Sequence, residues 1–305
     1  MKTKNIHAVT GAFGYSGRYI AKRLIENGNT VRTLTNSTHK NNPFGNLIDV
    51  RPLNFRNQSS LANSLQDVEV LYNTYWVRFN HRNFTHSEAT DNTITLFEAA
   101  KEAGVGRIVH ISITNPDPHS ALEYFRGKGE LEDYLKNSGV PYSILRPTVL
   151  FGKEDILINN IAWMLRKFPV FAVFGKGDYR IQPVFVDDLA ALAVEQGKTD
   201  VGNEIINATG PETYTYLQLV KTIMAALGLQ RRIIHISPGS GYLAGKIISS
   251  FVGDVVITRP EIEGLMSGLL CTDSPPACPT KFSEWIACNS KNTGTKYTGE
   301  LARRK

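Results

Sequence analysis

The stretch Ile6-His7-Ala8-Val9-Thr10-Gly11-Ala12-Phe13-Gly14-Tyr15-Ser16-Gly17-Arg18 decides how the rest of the chain is read. Ile6 to Val9 is an apolar run of strand length. Tyr19 to Asn27 sets Ile20 and Leu24, and Ala21 and Ile25, four residues apart, which predicts an amphipathic helix closed by Gly28. Between them lies a turn spaced Gly-x-x-Gly-x-x-Gly. In that position Gly11 permits a tight turn, Gly14 lets backbone approach a pyrophosphate and Gly17 allows close helix–strand packing. The helix N-terminus offers N–H groups and the positive end of its dipole to an anion. The turn therefore predicts nucleotide binding.

At 305 residues, 42% of them hydrophobic, the chain can bury a large core, as one big α/β domain or as a domain with a smaller appendage. The net charge of +6 suits an anionic ligand. Lys and Arg are scattered, however, with the densest cluster at Arg303-Arg304-Lys305. No basic stripe with interleaved aromatics occurs, so nucleic acid is not an expected partner. Met1-Lys2-Thr3-Lys4 leads straight into the first strand without a secretory apolar region, and no apolar run approaches the ~20 residues of a membrane span. A soluble, cytoplasmic protein is expected. Cys271, Cys278 and Cys288 lack paired spacing or a nearby histidine, and read as thiols rather than as a zinc site.

Further strands are expected at Thr30 to Thr35, Val50 to Leu53, Val68 to Asn73 and Arg107 to Ile111, with helices at Ser60 to Leu65 and Asp91 to Ala103. This alternation predicts right-handed parallel crossovers and a doubly wound parallel sheet. An NAD site usually ends its second strand with Asp or Glu on the ribose diol. Here Thr35-Asn36-Ser37-Thr38-His39-Lys40 offers neutral donors and a cation, and Arg18 follows the third glycine. These groups attract a 2′-phosphate, so NADP(H) is preferred over NAD(H). Thr74-Tyr75-Trp76-Val77-Arg78-Phe79 leaves the carboxyl end of the fourth strand, where parallel sheets hold their ligands. Trp76 and Phe79 either line that cleft or pack beneath a loop.

After the fifth strand come Ser112-Ile113-Thr114-Asn115, and then Tyr124-Phe125-Arg126-Gly127-Lys128 opening a helix. Tyr124 and Lys128 share one helical face. A phenol with a pKa of ~10 is a poor base near neutrality, and a lysine cation beside it favours the phenolate. Tyr124 can then exchange a proton with a substrate oxygen held by the hydroxyl of Thr114 or Ser112, while a nicotinamide exchanges hydride.

With Thr-Gly-x-x-Gly-x-x-Gly at 10 to 17, Tyr-x-x-x-Lys at 124 to 128, Arg146-Pro147-Thr148-Val149-Leu150-Phe151-Gly152 after the sixth strand and Gln182-Pro183-Val184-Phe185-Val186-Asp187-Asp188 beyond it, the chain resembles an extended or atypical short-chain dehydrogenase/reductase. Within that superfamily it is most similar to the NmrA-like group and to the NADPH-binding accessory subunit of respiratory complex I, over roughly residues 5 to 210. The resemblance implies a Rossmann core in which Gly11, Phe13, Gly14, Tyr15 and Gly17 wrap the pyrophosphate. It places Arg18 and Asn36 at the adenosine ribose or its phosphate, and Asn54 and Phe55 at the adenine edge. Thr74 and Tyr75 fall toward the nicotinamide side, Lys128 at the nicotinamide ribose, and Pro147 and Val149 beside the nicotinamide.

Two departures shape the functional reading. Active extended enzymes commonly end the fifth strand with adjacent serines, whereas Ser112 is followed by Ile113, so the hydroxyl must come from Thr114 or be missing. Asn115 replaces the acidic residue that sugar-nucleotide dehydratases carry after their threonine. The expected function is an NADP(H)-dependent oxidoreductase acting on a carbonyl or alcohol of a small molecule. The alternatives are a non-catalytic NAD(P)H-binding sensor, regulator or assembly subunit, and an epimerase acting on a nucleotide sugar.

Residues 1–152 are expected to form the dinucleotide-binding core and 153–305 a smaller mixed α/β substrate or lid region, with segments at about 178–210 completing the core. Helices are expected at Glu154 to Pro169, Tyr216 to Leu227 and Tyr242 to Phe251. Leu243, Ile247, Ile248 and Phe251 should pack inward against the lid, with a weak membrane-surface association or contact with a partner as the alternatives. Thr258-Arg259-Pro260-Glu261 is a capping box opening a helix with Ile262, Leu265, Met266, Leu269 and Leu270 on its buried stripe. A monomer or homodimer is expected.

Overall fold

The computed structural model describes residues 6–36, 42–198, 200 and 202–301. The expectations for Met1 to Lys4, for Ser37 to Lys40 and for Arg303-Arg304-Lys305 lie outside the described residues. In chain order the first elements are β1 (Ile6–Thr10), α1 (Tyr15–Glu26), β2 (Thr30–Thr35), β3 (Ile48–Pro52), α2 (Gln58–Ser64), β4 (Val68–Asn73), α3 (His86–Glu102), β5 (Arg107–Ile111), α4 (Glu123–Asn137) and β6 (Tyr142–Pro147). There follow β7 (Val149–Phe151), α5 (Leu157–Lys167), β8 (Val170–Phe174), β9 (Arg180–Ile181), β10 (Pro183–Phe185), α6 (Val186–Gln196) and β11 (Glu204–Ala208). The chain ends with β12 (Tyr214–Thr215), α7 (Tyr216–Ala226), β13 (Arg232–Ile236), α8 (Pro238–Val252), α9 (Arg259–Met266) and α10 (Phe282–Asn289).

The main sheet has the strand order β11-β6-β5-β4-β1-β2-β3. Its pairings of β1 with β2 and β4, of β2 with β3, and of β5 with β4 and β6 are parallel. The order reverses direction between β1 and β4. In an open α/β sheet that reversal opens a crevice at the carboxyl ends of the two strands, where ligands bind. Covered on both faces, β4 and β5 read as near-continuous buried runs: Val70, Leu71 and Tyr72 in one and Ile108 and Val109 in the other are fully buried. The expected doubly wound parallel Rossmann sheet is present.

Two compact units share the chain. One comprises Met1–Pro147 and Val186–Ile206, the other Thr148–Phe185 and Asn207–Lys305. In the first, the face of α1 made by Ile20, Ala21 and Leu24 is buried, and Arg23 on that helix pairs with Asp187 of α6 at 2.7 Å. The second unit mixes parallel pairs (β7 with β10, β8 with β13) and an antiparallel one (β9 with β12). Its core gathers Phe151, Ile161, Leu165, Val173, Leu219, Ile223, Ile262, Phe282 and Trp285.

Several boundaries differ from those expected. Helix α1 begins at Tyr15, four residues early, so Gly17 stands in its first turn. Helix α3 begins at His86 because Thr85 and Glu88 form a reciprocal capping box upstream of the apolar periodicity. Helix α5 is shorter than Glu154 to Pro169, since Asp155 accepts the Ile158 and Asn159 N–H groups and fixes its start. Helix α9 carries the expected box but stops at Met266, leaving Leu269 and Leu270 beyond it. Helix α8 turns Gly241 and Gly245 inward, and Leu243, Ile247 and Phe251 are exposed rather than packed.

Candidate cofactor and active site

The glycine turn sits at the β1–β4 crevice. Gly11 takes φ +67°, its N–H donates to the Leu34 carbonyl, and its own carbonyl accepts from Gly14 N at 2.7 Å. A Cβ on Gly17 would lie 2.4 Å from the Gly11 carbonyl oxygen, so only glycine lets α1 approach the turn this closely. Gly14 is the N-cap of α1, with no side-chain cap and no acidic residue in the first turn. Helices α2, α3, α7, α8 and α9 are each capped by an Asn, Thr or Ser side chain, whereas α4, α5 and α10 share with α1 the lack of a side-chain bond from the N-cap residue. A phosphate at the start of α1 would supply the missing acceptor, so the residues present fit a pyrophosphate.

Thr10 ties the two strand ends together. Its hydroxyl accepts from Thr74 N at 2.8 Å and Tyr75 N at 3.2 Å and donates to Asn73 Oδ1 at 3.0 Å, while Thr74 Oγ1 donates to the Thr10 carbonyl at 2.6 Å. Thr74 therefore stands against the glycine turn, where a Gly11 Cβ would meet its hydroxyl at 3.6 Å. Phe55 packs on Tyr75 with ring centroids 4.8 Å apart, and Asn92 Nδ2 donates to the Tyr75 hydroxyl. Arg18 Nη2 donates to the Phe13 carbonyl, and Tyr15 meets Tyr19 edge to face. Asn36 and Asn54 are exposed at the ends of β2 and β3. Asn54 spends its side-chain oxygen on Arg56 N.

The second cluster forms where β5 meets α4. Lys128 is 3% exposed; its ammonium donates to the Ile111 carbonyl at 2.7 Å and lies 4.5 Å from the centre of the Trp76 ring. Burial lowers its pKa from 10.5 to about 7, with Glu132 opposing the fall. Trp76 also meets Tyr124 edge to face at 5.7 Å and stacks near-parallel to His86 at 5.8 Å. Gly127 makes room for it, since a Cβ there would stand 2.9 Å from the indole. Trp76 thus covers the lysine, and Phe79 is buried beneath its loop. In this arrangement Lys128 is held by the Ile111 carbonyl and the Trp76 ring.

The hydroxyls divide cleanly. Ser112 Oγ donates to Glu132 Oε1 at 2.5 Å, and Glu132 is gripped by the Arg146 guanidinium, so this serine is committed. Thr114 is fully buried, its N–H donates to the Pro147 carbonyl at 2.9 Å, and its hydroxyl has no hydrogen-bond partner. Asn115 then bends the chain at φ +49°. Thr114 and Pro147 are thereby brought together at the ends of β5 and β6, while Val149 belongs to β7 of the second unit.

The sequence reading missed one buried chain of groups. Asn73 Nδ2 donates to His110 Nδ1 at 3.1 Å, which continues the Thr10–Asn73 bond inward. Burial, followed by the Lys128 charge, holds the His110 pKa well below its usual value, so the imidazole is neutral with its proton on Nε2. The available signal was a histidine inside the otherwise apolar end of Arg107-Ile108-Val109-His110-Ile111. Glu132 and Arg146 gave none, because each sits at a spacing that also suits an exposed face.

Residues 11–160 match the model of the NAD(P)H-binding family. A mitochondrial relative in Arabidopsis thaliana, NADH dehydrogenase (ubiquinone) 1 alpha subcomplex subunit 9, is 27% identical over 226 residues, covering 71% of this chain and 56% of its own length. The chain thus spans little more than half of that relative. Among solved structures, a nucleoside-diphosphate-sugar epimerase of Staphylococcus aureus superposes with a TM-score of 0.74 at 18% identity over 92% of this chain and 99% of its own. An NADPH-dependent quinone oxidoreductase of Escherichia coli, determined with NADPH, gives a TM-score of 0.73 at 23% identity over 92% of this chain and 99% of its own. These two likenesses are of fold. The glycine turn at the β1–β4 crevice and the match over residues 11–160 mark this part of the chain as an NAD(P)H-binding, Rossmann-like domain with homology to the complex I subunit.

Proposed function

We propose that the chain is an NADP(H)-dependent oxidoreductase acting on the carbonyl or alcohol of a small organic molecule, quinones included. The observation that carries the reading is the buried, unpartnered hydroxyl of Thr114, on the segment that follows the carbonyl holding Lys128. A buried hydroxyl without a partner costs about 1–3 kcal/mol, which a substrate oxygen at that point would offset. The nicotinamide, when bound, supplies or accepts the hydride. Thr114 orients the substrate oxygen, Tyr124 gives it a proton or takes one, and Lys128 in its protonated form, on the same helical face, favours the phenolate. Arg18 and Asn36, with no carboxylate at the end of β2, favour NADP(H) over NAD(H).

Trp76 over Lys128 favours a second reading, in which the nucleotide is held without turnover, as in a regulator or an assembly subunit. One experiment separates the two. Oxidation of NADPH is followed against a panel of carbonyls and quinones, alongside fluorescence titration with NADPH and NADH. Turnover that falls about 100-fold or more in Tyr124→Phe, with NADPH affinity unchanged, supports the enzyme. Tight NADPH binding with no turnover on any acceptor supports the second reading, and tighter binding of NADH overturns the cofactor preference.

A further inference from the structure

Helix α8 keeps an apolar row outside the fold. Its inner side is built from Gly241, where a Cβ would strike the Phe174 ring, and Gly245, where one would meet Ile257. Ser249 joins them there by accepting from Val256 N. On the opposite side Leu243, Ile247 and Phe251 follow at four-residue spacing and are 61%, 55% and 85% exposed. Single exposed apolar residues are ordinary, but an aligned row of three large ones marks an interaction surface.

The charges around the row say what covers it. Lys246 and Arg259 both stand over the Tyr242 ring, 5.3 Å and 4.9 Å from its centre, beside the row. Helix α8 itself carries Lys246 and no Asp or Glu, and on α9 beside Arg259 the Glu261 carboxylate is spent on the Thr258 cap while Glu263 is exposed. Asp254 is itself buried, accepting from the backbone of Glu300 and Leu301 and from the Tyr297 hydroxyl. An apolar ridge bordered by cations, on a helix without carboxylates, matches the boundary between acyl chains and anionic headgroups. A second copy set on the same row would bring two cationic borders into one interface, which like-charge repulsion opposes. Among the described residues no helix is long and apolar enough to cross a membrane, so the helix would lie on the surface.

We infer that α8 docks this chain onto an anionic lipid surface, with Leu243, Ile247 and Phe251 entering the acyl boundary and Lys246 and Arg259 at the headgroup phosphates. The test uses the full chain with sucrose-loaded vesicles of phosphatidylcholine alone, or of phosphatidylcholine and phosphatidylserine in equal parts. Sedimentation with the anionic vesicles, weakening as salt is added, is expected. An Ile247→Ser, Phe251→Ser double variant should partition about tenfold more weakly or worse. Lys246→Glu should bind about fivefold more weakly or worse. These positions are exposed, so an unchanged melting curve establishes that the variants fold. Failure to sediment with either vesicle overturns the inference, as does undiminished binding of the double variant. So does a wild-type dimer that the double variant reduces to a monomer without any vesicle binding.

Discussion

Lys128 shows how one residue can be legible in type and still be decided by its surroundings. Its place four residues after Tyr124 marked it as a charge beside a phenol, but its burial under Trp76 follows from the glycine at 127 and from where the β4 loop runs. Burial leaves its amine with a pKa of about 7 in the folded chain, against 10.5 for an exposed lysine. The unfolded chain therefore holds the proton across that interval while the folded one gives it up, and stability rises with pH there. Below the interval both states are protonated and the cost of the buried charge is present in full. The urea midpoint is expected to climb from neutral pH toward about pH 10, and Lys128→Met should flatten the climb. A slope shared by both proteins would show that other groups produce it.

Among the elements, α1 and α3 differ in what meets their N-termini. Helix α3 satisfies its own start: Glu88 N donates to Thr85 Oγ1 and Thr85 N donates to the Glu88 carboxylate, each at 3.1 Å. Thr85→Ala removes this box and should cost about 1 kcal/mol, read as a melting temperature lower by about 2–4 °C. Helix α1 has only Gly14 at that position, with neither a side-chain cap nor an acidic residue in its first turn. The strands β2, β4 and β5 fall at the limits expected for them, because strands buried on both faces write their limits in hydrophobicity. Helix starts were harder to read, since capping groups precede the periodic residues. Helix α8 misled for another reason: its glycines, not its large apolar residues, make the packed face.

At the scale of the molecule, the first unit is discontinuous in sequence, and Arg107 is one of the residues that bind its late segment to its early one. From β5 its guanidinium donates to the carbonyls of Gln196, Tyr142 and Gly202 and to Ser143 Oγ. Arg107→Met would strand these buried acceptors, so a loss of about 3 kcal/mol or more in urea unfolding is expected, with faster amide exchange in β11. Nothing in Arg107-Ile108-Val109 announces that partnership, because the residues it joins lie far along the chain. What the sequence determined by itself was the alternation of strand and helix, the glycine turn and the absence of a carboxylate after β2, all of which depend on local spacing. Tertiary structure alone decided that Ser112 is spent on Glu132 while Thr114 is left unpartnered, that Trp76 lies over Lys128, and that the apolar row of α8 faces outward. Those outcomes depend on which distant residues reach the same few ångströms, and local spacing does not encode that.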